Sequence, residues 1–140
     1  MGALDGRKIG FIGLGLMGRP MARNLHKAAK IIHRQHKGIF PDTVEGLSAL
    51  PGIGRSTAGA IAAQAFGVRA AILDGNVKRV LARLFAVPGW PGETAVAAKL
   101  WQHAEALTPN QRLADYTQAI MDLGATLCTR SKPACLLCPW

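Results

Sequence analysis

The sequence Leu-Pro-Gly-Ile-Gly at residues 50–54 constrains the fold of this 140-residue chain more than any other feature. It lies between two segments with helical spacing, and its proline and two glycines interrupt any continuous helix. The glycines permit a tight turn with accessible backbone N–H groups, and a helix is expected to begin directly after it. Because the N-terminal end of a helix carries partial positive charge, such a turn is suited to hold a phosphate group. A plain packing turn would have the same sequence, so both roles stay open on this feature alone.

The charge of the chain favours the phosphate-binding interpretation. The net charge is +9 and the pI is about 10.2, which is typical of a domain that meets a polyanion, with nucleic acid as the first candidate. A merely basic surface is the alternative. A turn of this kind would contact backbone phosphates and read no base, so we expect duplex DNA to be bound without sequence preference. The candidate contact residues are Gly52, Gly54, Arg55, Ser56 and Thr57.

The spacing of apolar residues after residue 42 predicts helices only. A first helix, with Pro20 in its first turn, ends near residue 35, and others are expected at about 42–49, 55–66, 76–86, 94–107 and 109–123. We expect Thr108 to cap the last of these helices, and Trp90 and Trp101 to be packing residues. No apolar run is long enough to cross a membrane and no signal peptide is recognisable, so a cytoplasmic location, in the bacterial cytosol or nucleoid, is expected.

The chain has three cysteines, Cys128, Cys135 and Cys138, all within one short stretch. An odd number of crowded cysteines suits a reducing compartment and a metal site better than disulfides. Three thiolates could bind zinc with water as the fourth ligand, or they could remain free thiols. The cysteines therefore predict a metal site without deciding the metal.

A second glycine motif, Gly-Leu-Gly-Leu-Met-Gly at residues 13–18, follows residues 8–12, which can form a short strand. In dinucleotide-binding folds such glycines let the backbone approach a pyrophosphate. Residues 8–22 resemble the start of 3-hydroxyisobutyrate dehydrogenases. The acidic residue expected about 20 positions later is missing, and no second strand–helix–strand unit follows. We therefore expect no nicotinamide cofactor to bind. A nicotinamide-dependent oxidoreductase fragment remains the alternative function.

From residue 22 onward the chain resembles a different family. The matching segments are Ala-Arg-Asn-Leu-His-Lys-Ala-Ala at 22–29, Gly-Ile-Phe-Pro-Asp-Thr at 38–43 and Tyr-Thr-Gln-Ala-Ile-Met-Asp-Leu-Gly-Ala at 116–125. Together with the turn at 50–54, which has the helix-hairpin-helix pattern, they resemble the A/G-specific adenine DNA glycosylases, the MutY family of the endonuclease III-like superfamily. The two resemblances in one chain indicate a natural or engineered chimera, or a truncated fragment; chance similarity in the first 22 residues is the alternative.

This resemblance implies a site and a cofactor. In the family, four cysteines at C-x6-C-x2-C-x5-C spacing bind a [4Fe–4S] cluster, and the fourth would fall at position 144, beyond Trp140. The cluster would then be incomplete or completed from outside. Family resemblance also assigns phosphate contacts to Arg130 and Lys132, and suggests that hairpin carbonyls hold a monovalent cation. To Lys78 we assign phosphate contact or solvent.

Asp74 is the candidate catalytic residue. From the sequence alone it is a helix N-cap, because it stands directly before Gly-Asn and a helical segment. Family resemblance places the essential aspartate of the glycosylases at this position, within Leu-Asp-Gly-Asn-Val at 73–77. Breaking an N-glycosidic bond builds positive charge on the sugar, and a fixed carboxylate stabilises that charge.

The family activity is hydrolysis of the bond to an adenine mispaired with guanine or 8-oxoguanine. Its general acid is a glutamate that precedes the Gly-Leu-Gly segment, and Asp5 is the only acid before residue 42 here. We therefore expect DNA binding with little or no turnover, and a non-functional fusion that merely folds is a further alternative.

The expected fold is mainly α, a helix-hairpin-helix DNA glycosylase half-fold with at most one short N-terminal strand. We divide the chain into a dehydrogenase-like segment at 1–21, a glycosylase domain at 22–127 and a truncated cluster loop at 128–140. Missing helices would leave apolar faces that a homo-oligomer could cover.

Overall fold

A computed structural model describes residues 15–140. Within this range the chain forms six α-helices and no strand, which confirms the prediction of a mainly α fold. The helices are α1 Gly18–Gln35, α2 Val44–Ser48, α3 Arg55–Phe66, α4 Gly75–Leu84, α5 Thr94–Leu107 and α6 Leu113–Asp122. A five-residue π-helical turn, Leu123–Leu127, continues α6, and a short 3₁₀ turn covers Cys135–Leu137. The strand expected at residues 8–12 lies outside the described residues.

Local signals in the sequence set several helix ends. The Thr43 side chain accepts a hydrogen bond from the Gly46 N–H at 3.1 Å and so caps α2. The Asp74 side chain does the same for α4. At the end of α3 the chain turns through Gly67 with φ +64°, a conformation that costs glycine no steric clash. These termini agree with the helices expected from the sequence.

The prediction for the last helix was wrong in its start and its cap. α6 begins at Leu113, after Arg112 in a left-handed conformation with φ +54°. Thr108 is buried, and its hydroxyl donates to the Ala104 carbonyl at 2.7 Å. Thr108 therefore ends α5 instead of starting α6, because its hydroxyl finds an acceptor one turn back in the helix that precedes it.

The helices pack around one main apolar cluster and two smaller ones. α4 packs against α5 and α6, and α3 packs against both α2 and α6. The main cluster consists of Ile72, Leu73, Val77, Leu81, Val96, Leu100, Ala104 and Ile120. A second cluster joins α2 to α3, and a third joins Ala28 and Ile32 of α1 to Leu50. The turn at residues 50–54 is thereby anchored from both sides. Among residues 15–140, no helix combines the length and the apolarity needed for a membrane crossing.

Candidate nucleic-acid interface

The turn at residues 50–54 requires glycine at position 52. Gly52 has φ +82°, where other residues are strained, and a Cβ there would approach the Asn24 side chain to 2.8 Å. The Ile53 N–H donates to the Leu50 carbonyl at 3.1 Å and closes the turn. Leu50 itself is buried. Gly52 therefore shapes the turn, and its contribution to any ligand contact is indirect.

Gly54 has a different role, because it leaves the start of α3 open. It is the N-cap residue of α3, its backbone is extended, and nothing lies within 4 Å of the position a Cβ would occupy. No side chain caps this helix. The first backbone hydrogen bond of α3 runs from the Ala58 N–H to the Gly54 carbonyl at 2.8 Å. Within the described part of the chain, the N–H groups of residues 55–57 have no acceptor, so they are available to an anion.

Three other residues proposed for this surface have distinct environments. The Arg55 guanidinium binds the Glu105 carboxylate at 2.7 Å and lies 3.9 Å from the centre of the Trp101 ring. The Ser56 hydroxyl accepts a hydrogen bond from the Leu73 N–H at 2.9 Å. Thr57 is exposed. The structure thus directs Arg55 toward α5 and gives Ser56 a role inside the fold, and sequence reasoning missed all three contacts.

Asp74 is held at the start of α4, next to the contact made by Ser56. Its Oδ1 accepts a hydrogen bond from the Val77 N–H at 2.8 Å, which confirms the predicted N-cap. The residue is half-buried. Because Ser56 binds the backbone of Leu73, the preceding residue, α3 and Asp74 are coupled through a single hydrogen bond. The anion-accepting end of α3 and the carboxylate therefore belong to one packed unit.

An open groove of about 520 Å³ lies beside the start of α4. It brings together two predicted contact residues, Lys78 and Arg130, and Lys132 does not line it. Trp90, which we expected to be a packing residue, lines the groove with 70% of its surface exposed, so that prediction was wrong. The groove is lined by Gly75, Lys78, Arg79, Ala82, Arg83, Trp90, Pro91, Gly92 and Arg130. No carboxylate is among these residues.

Two arginines of α4 hold the loop that contains the cysteines. Arg79 donates to the Cys128 carbonyl at 2.6 Å, to the Asn76 side chain at 2.8 Å and to the Gly124 carbonyl. Arg83 donates to the Thr129 carbonyl at 2.8 Å and lies 3.3 Å from the Cys128 sulfur. Sequence reasoning did not select either arginine. Their spacing of four residues on one helix is the only signal that could have indicated a shared face.

The three cysteines do not form a complete metal site in this structure. Cys135 is exposed, Cys128 and Cys138 are half-buried, and all three are free thiols. Among residues 15–140, no three His, Cys, Asp or Glu side chains converge as metal ligands. A zinc site needs at least three protein ligands that converge, with water as a possible fourth, and a [4Fe–4S] cluster is held by four cysteine thiolates. The described residues do not meet either requirement, and the metal site stays a prediction.

The turn, the packing of α2 on α3 and the aspartate at α4 define a helix-hairpin-helix DNA glycosylase fold. The helix-hairpin-helix motif family matches residues 35–63. A thermostable thymine-DNA glycosylase superposes with a TM-score of 0.77 at 31% identity, covering 89% of this chain and 57% of that one. Endonuclease III trapped in a covalent complex with DNA gives a TM-score of 0.70 at 27% identity, covering 86% and 55%.

The relatives in sequence are adenine DNA glycosylases. The adenine DNA glycosylase of Buchnera aphidicola (subsp. Acyrthosiphon pisum) is 44% identical over 91% of this chain and 36% of its own length. The adenine DNA glycosylase of Homo sapiens is 44% identical over 91% of this chain and 23% of its own length. The chain is a homologue of the adenine DNA glycosylases over the part that it spans, about a third or less of their length. These similarities give no support to an oxidoreductase or to a chimera.

Proposed function

We propose that the chain supplies the duplex-binding and sugar-facing part of an adenine DNA glycosylase. The observation that carries this proposal is the coupling of two features in one packed unit. The open N-terminus of α3 offers three backbone N–H groups to a phosphate, and Ser56 fixes the same helix to the segment that ends at Asp74. A strand whose phosphate rests at Gly54 would be presented to the carboxylate in a fixed geometry.

The proposed role of Asp74 is electrostatic. One carboxylate oxygen caps α4, and within the described residues the second oxygen accepts no hydrogen bond. That oxygen can face positive charge as it develops on the sugar when the bond to the base breaks. The N-cap holds the side chain in place for this role. Asp74 does not by itself protonate the departing adenine, which needs a separate acid.

We further propose that the 140-residue chain binds DNA with little or no adenine excision. The groove next to Asp74 contains no carboxylate. The other described acids that form side-chain contacts are engaged elsewhere: Glu105 with Arg55, Asp115 with Arg112, and Asp122 with Gln118. No hydrogen bond joins Asp74 to another described carboxylate, and none lines the groove beside it, so no general acid is identified there.

The finer predictions on ligands and assembly belong to the same proposal. Cys128, Cys135 and Cys138 would be three of the four ligands of an iron–sulfur cluster, and hairpin carbonyls would bind a monovalent cation. A second copy of the chain would cover Met17, the N-cap residue of α1, and Met21 and Leu25 on α1, which follow at intervals of four residues; all three are more than half exposed. Sedimentation of the wild type and of Met21→Glu tests that last point; a monomer in both cases contradicts it. The bacterial cytosol or nucleoid remains the proposed location.

Duplex binding is tested with the Gly54→Val variant. The new side chain has open space around it, so the fold should be kept while the approach of a phosphate is blocked. We expect duplex affinity to fall at least about tenfold, the effect of losing one charge-assisted hydrogen bond. For the wild type, affinity should fall steeply as salt rises from roughly 50 mM. Ala106→Val, at an exposed position of α5, is the matched control. Equal affinity of both variants would contradict the proposal.

Catalysis is tested separately on a duplex with adenine opposite 8-oxoguanine. Strand cleavage after alkaline treatment is compared for the wild type and Asp74→Asn. We expect both to show almost none. Robust cleavage by the wild type that disappears in the variant would show that an acid acts beside Asp74 after all.

A further inference from the structure

We propose that the groove beside α4 binds one unpaired nucleotide, with its base stacked on Trp90 and its phosphate held by Lys78 and Arg130. We call this groove, which lies beside the start of α4, the Trp90 groove. The inference extends the proposed function, because it adds a preference for DNA with a base outside the duplex. It rests on the orientation of Trp90, the unpaired cations and the size of the groove.

Trp90 is held as a flat platform by the turn that follows it. A Cβ on Gly92 would overlap the six-membered part of the indole ring, so the ring lies directly against the backbone of Gly92. The Glu93 N–H donates to the Trp90 carbonyl at 2.9 Å and closes this turn. The ring nevertheless keeps 70% of its surface exposed. One face of the indole is thus supported, and the open side can accept a base.

The cations around Trp90 divide into two pairs. Arg79 and Arg83 are occupied by carbonyls of the cysteine-containing loop. The side chains of Lys78 and Arg130 make no hydrogen bond or ion pair within residues 15–140. No carboxylate lines the groove, so Lys78 and Arg130 have no acidic partner within its lining. A phosphate would supply that partner.

The dimensions favour a single nucleotide. A volume of about 520 Å³ is within the range of sites that hold one small organic ligand. A base inside a duplex has both faces covered by its neighbours, so only an unpaired base can lie on Trp90. Gly75 lines the groove and Asp74 does not. The stacked base would therefore belong to a nucleotide next to the one that faces Asp74.

The test uses two duplexes that contain the fluorescent base 2-aminopurine, one with it in a single-nucleotide bulge and one with it fully paired. For the wild type, we expect binding to quench the bulged base and to favour the bulged duplex. Trp90→Ala should lower affinity for the bulged duplex about tenfold, the effect of losing one base–aromatic stack, and should abolish quenching. Its affinity for the paired duplex should not change. Trp90→Phe should restore most of the difference, and Trp140→Ala, at another exposed tryptophan, should have no effect.

Equal affinities of Trp90→Ala and the wild type for the bulged duplex would overturn the inference, as would an equal loss on both duplexes. Lys78→Ala and Arg130→Ala should each weaken binding of the bulged duplex. A single-stranded oligonucleotide that carries 2-aminopurine distinguishes a failure of this inference from a failure of duplex binding at the hairpin. That probe needs the Trp90 groove and not the duplex contact at Gly54. Absence of quenching with the single-stranded probe would contradict the inference. Quenching that persists in Gly54→Val would support it independently of the hairpin.

Discussion

The hairpin region at residues 43–84 and the loop at residues 128–140 are held in place by different forces. The hairpin rests on buried side chains such as Leu47, Leu50 and Ala58 and on backbone hydrogen bonds. The loop exposes Leu136 and Leu137 and contributes nothing to the buried clusters. Hydrogen bonds from Arg79 and Arg83 hold it instead, together with backbone hydrogen bonds from Cys128 and Ala134 to the turn that follows α6. The hairpin should therefore keep its shape under most surface changes, whereas the position of the loop depends strongly on two side chains.

The largest expected effect comes from Arg79→Ala. The change removes the donor to the half-buried carbonyls of Gly124 and Cys128, and we expect the free energy of unfolding to fall by about 3 kcal/mol. Urea denaturation measures it. Arg112→Ala is the matched control, because its pair with Asp115 is exposed and should contribute little. Equal effects of the two variants would mean that the loop is not anchored through α4.

Gly52→Ala should have the next largest effect on stability. Alanine at φ +82° is strained and its Cβ meets Asn24, so a loss of about 2 kcal/mol in the free energy of unfolding is expected. Gly54→Ala has no such conflict and should change stability by less than about 0.5 kcal/mol. Comparable losses in thermal unfolding would show that both glycines shape the turn, and that the distinction between them is wrong.

Two substitutions of Asp74 separate its role as the N-cap of α4 from the role of its negative charge. Asp74→Ala removes the acceptor for the Val77 N–H and should cost about 1 kcal/mol of stability. Asp74→Asn keeps an N-cap oxygen and should cost clearly less. If the two variants unfold at the same temperature, capping is not what holds Asp74 in position.

A stabilising effect, no larger than the loss expected for Asp74→Ala, is expected from Tyr116→Phe. The Tyr116 hydroxyl is buried and unpaired within the described residues, and removing it should add about 1 kcal/mol of stability. Burial raises the pKa of Tyr116 above its ordinary value of 10.0; the Thr108 hydroxyl, which could oppose this shift, donates to the Ala104 carbonyl instead. Since the pKa is higher in the folded state, the wild type keeps its full stability below pH 10 and loses stability as pH rises further, because the unfolded chain then ionises more readily.

Denaturation at pH 7 and at higher pH measures both effects in Tyr116→Phe. The variant should be more stable than the wild type at neutral pH and should lose less stability in alkaline solution. A loss of stability at pH 7 would indicate that the hydroxyl has a partner.

The sequence predicted the hairpin region better than the loop, for a physical reason. Helix periodicity, Thr43, Asp74 and the glycine turn are local signals, and the fold follows them. The engagement of Thr108 with α5, the exposure of Trp90 and the ion pair of Arg55 with Glu105 depend on neighbours set by packing. Residues 79 and 128 are far apart in sequence, so no periodic pattern encodes the contact between them.

The most direct test of the central claim is an NMR titration of the ¹⁵N-labelled chain with duplex DNA. We predict that the largest changes in amide shifts occur at residues 54–57, where the N–H groups of α3 are open, and that Gly54→Val suppresses them. Changes confined to residues 128–140, with the hairpin amides unmoved, would contradict the claim that the hairpin is the surface that holds DNA.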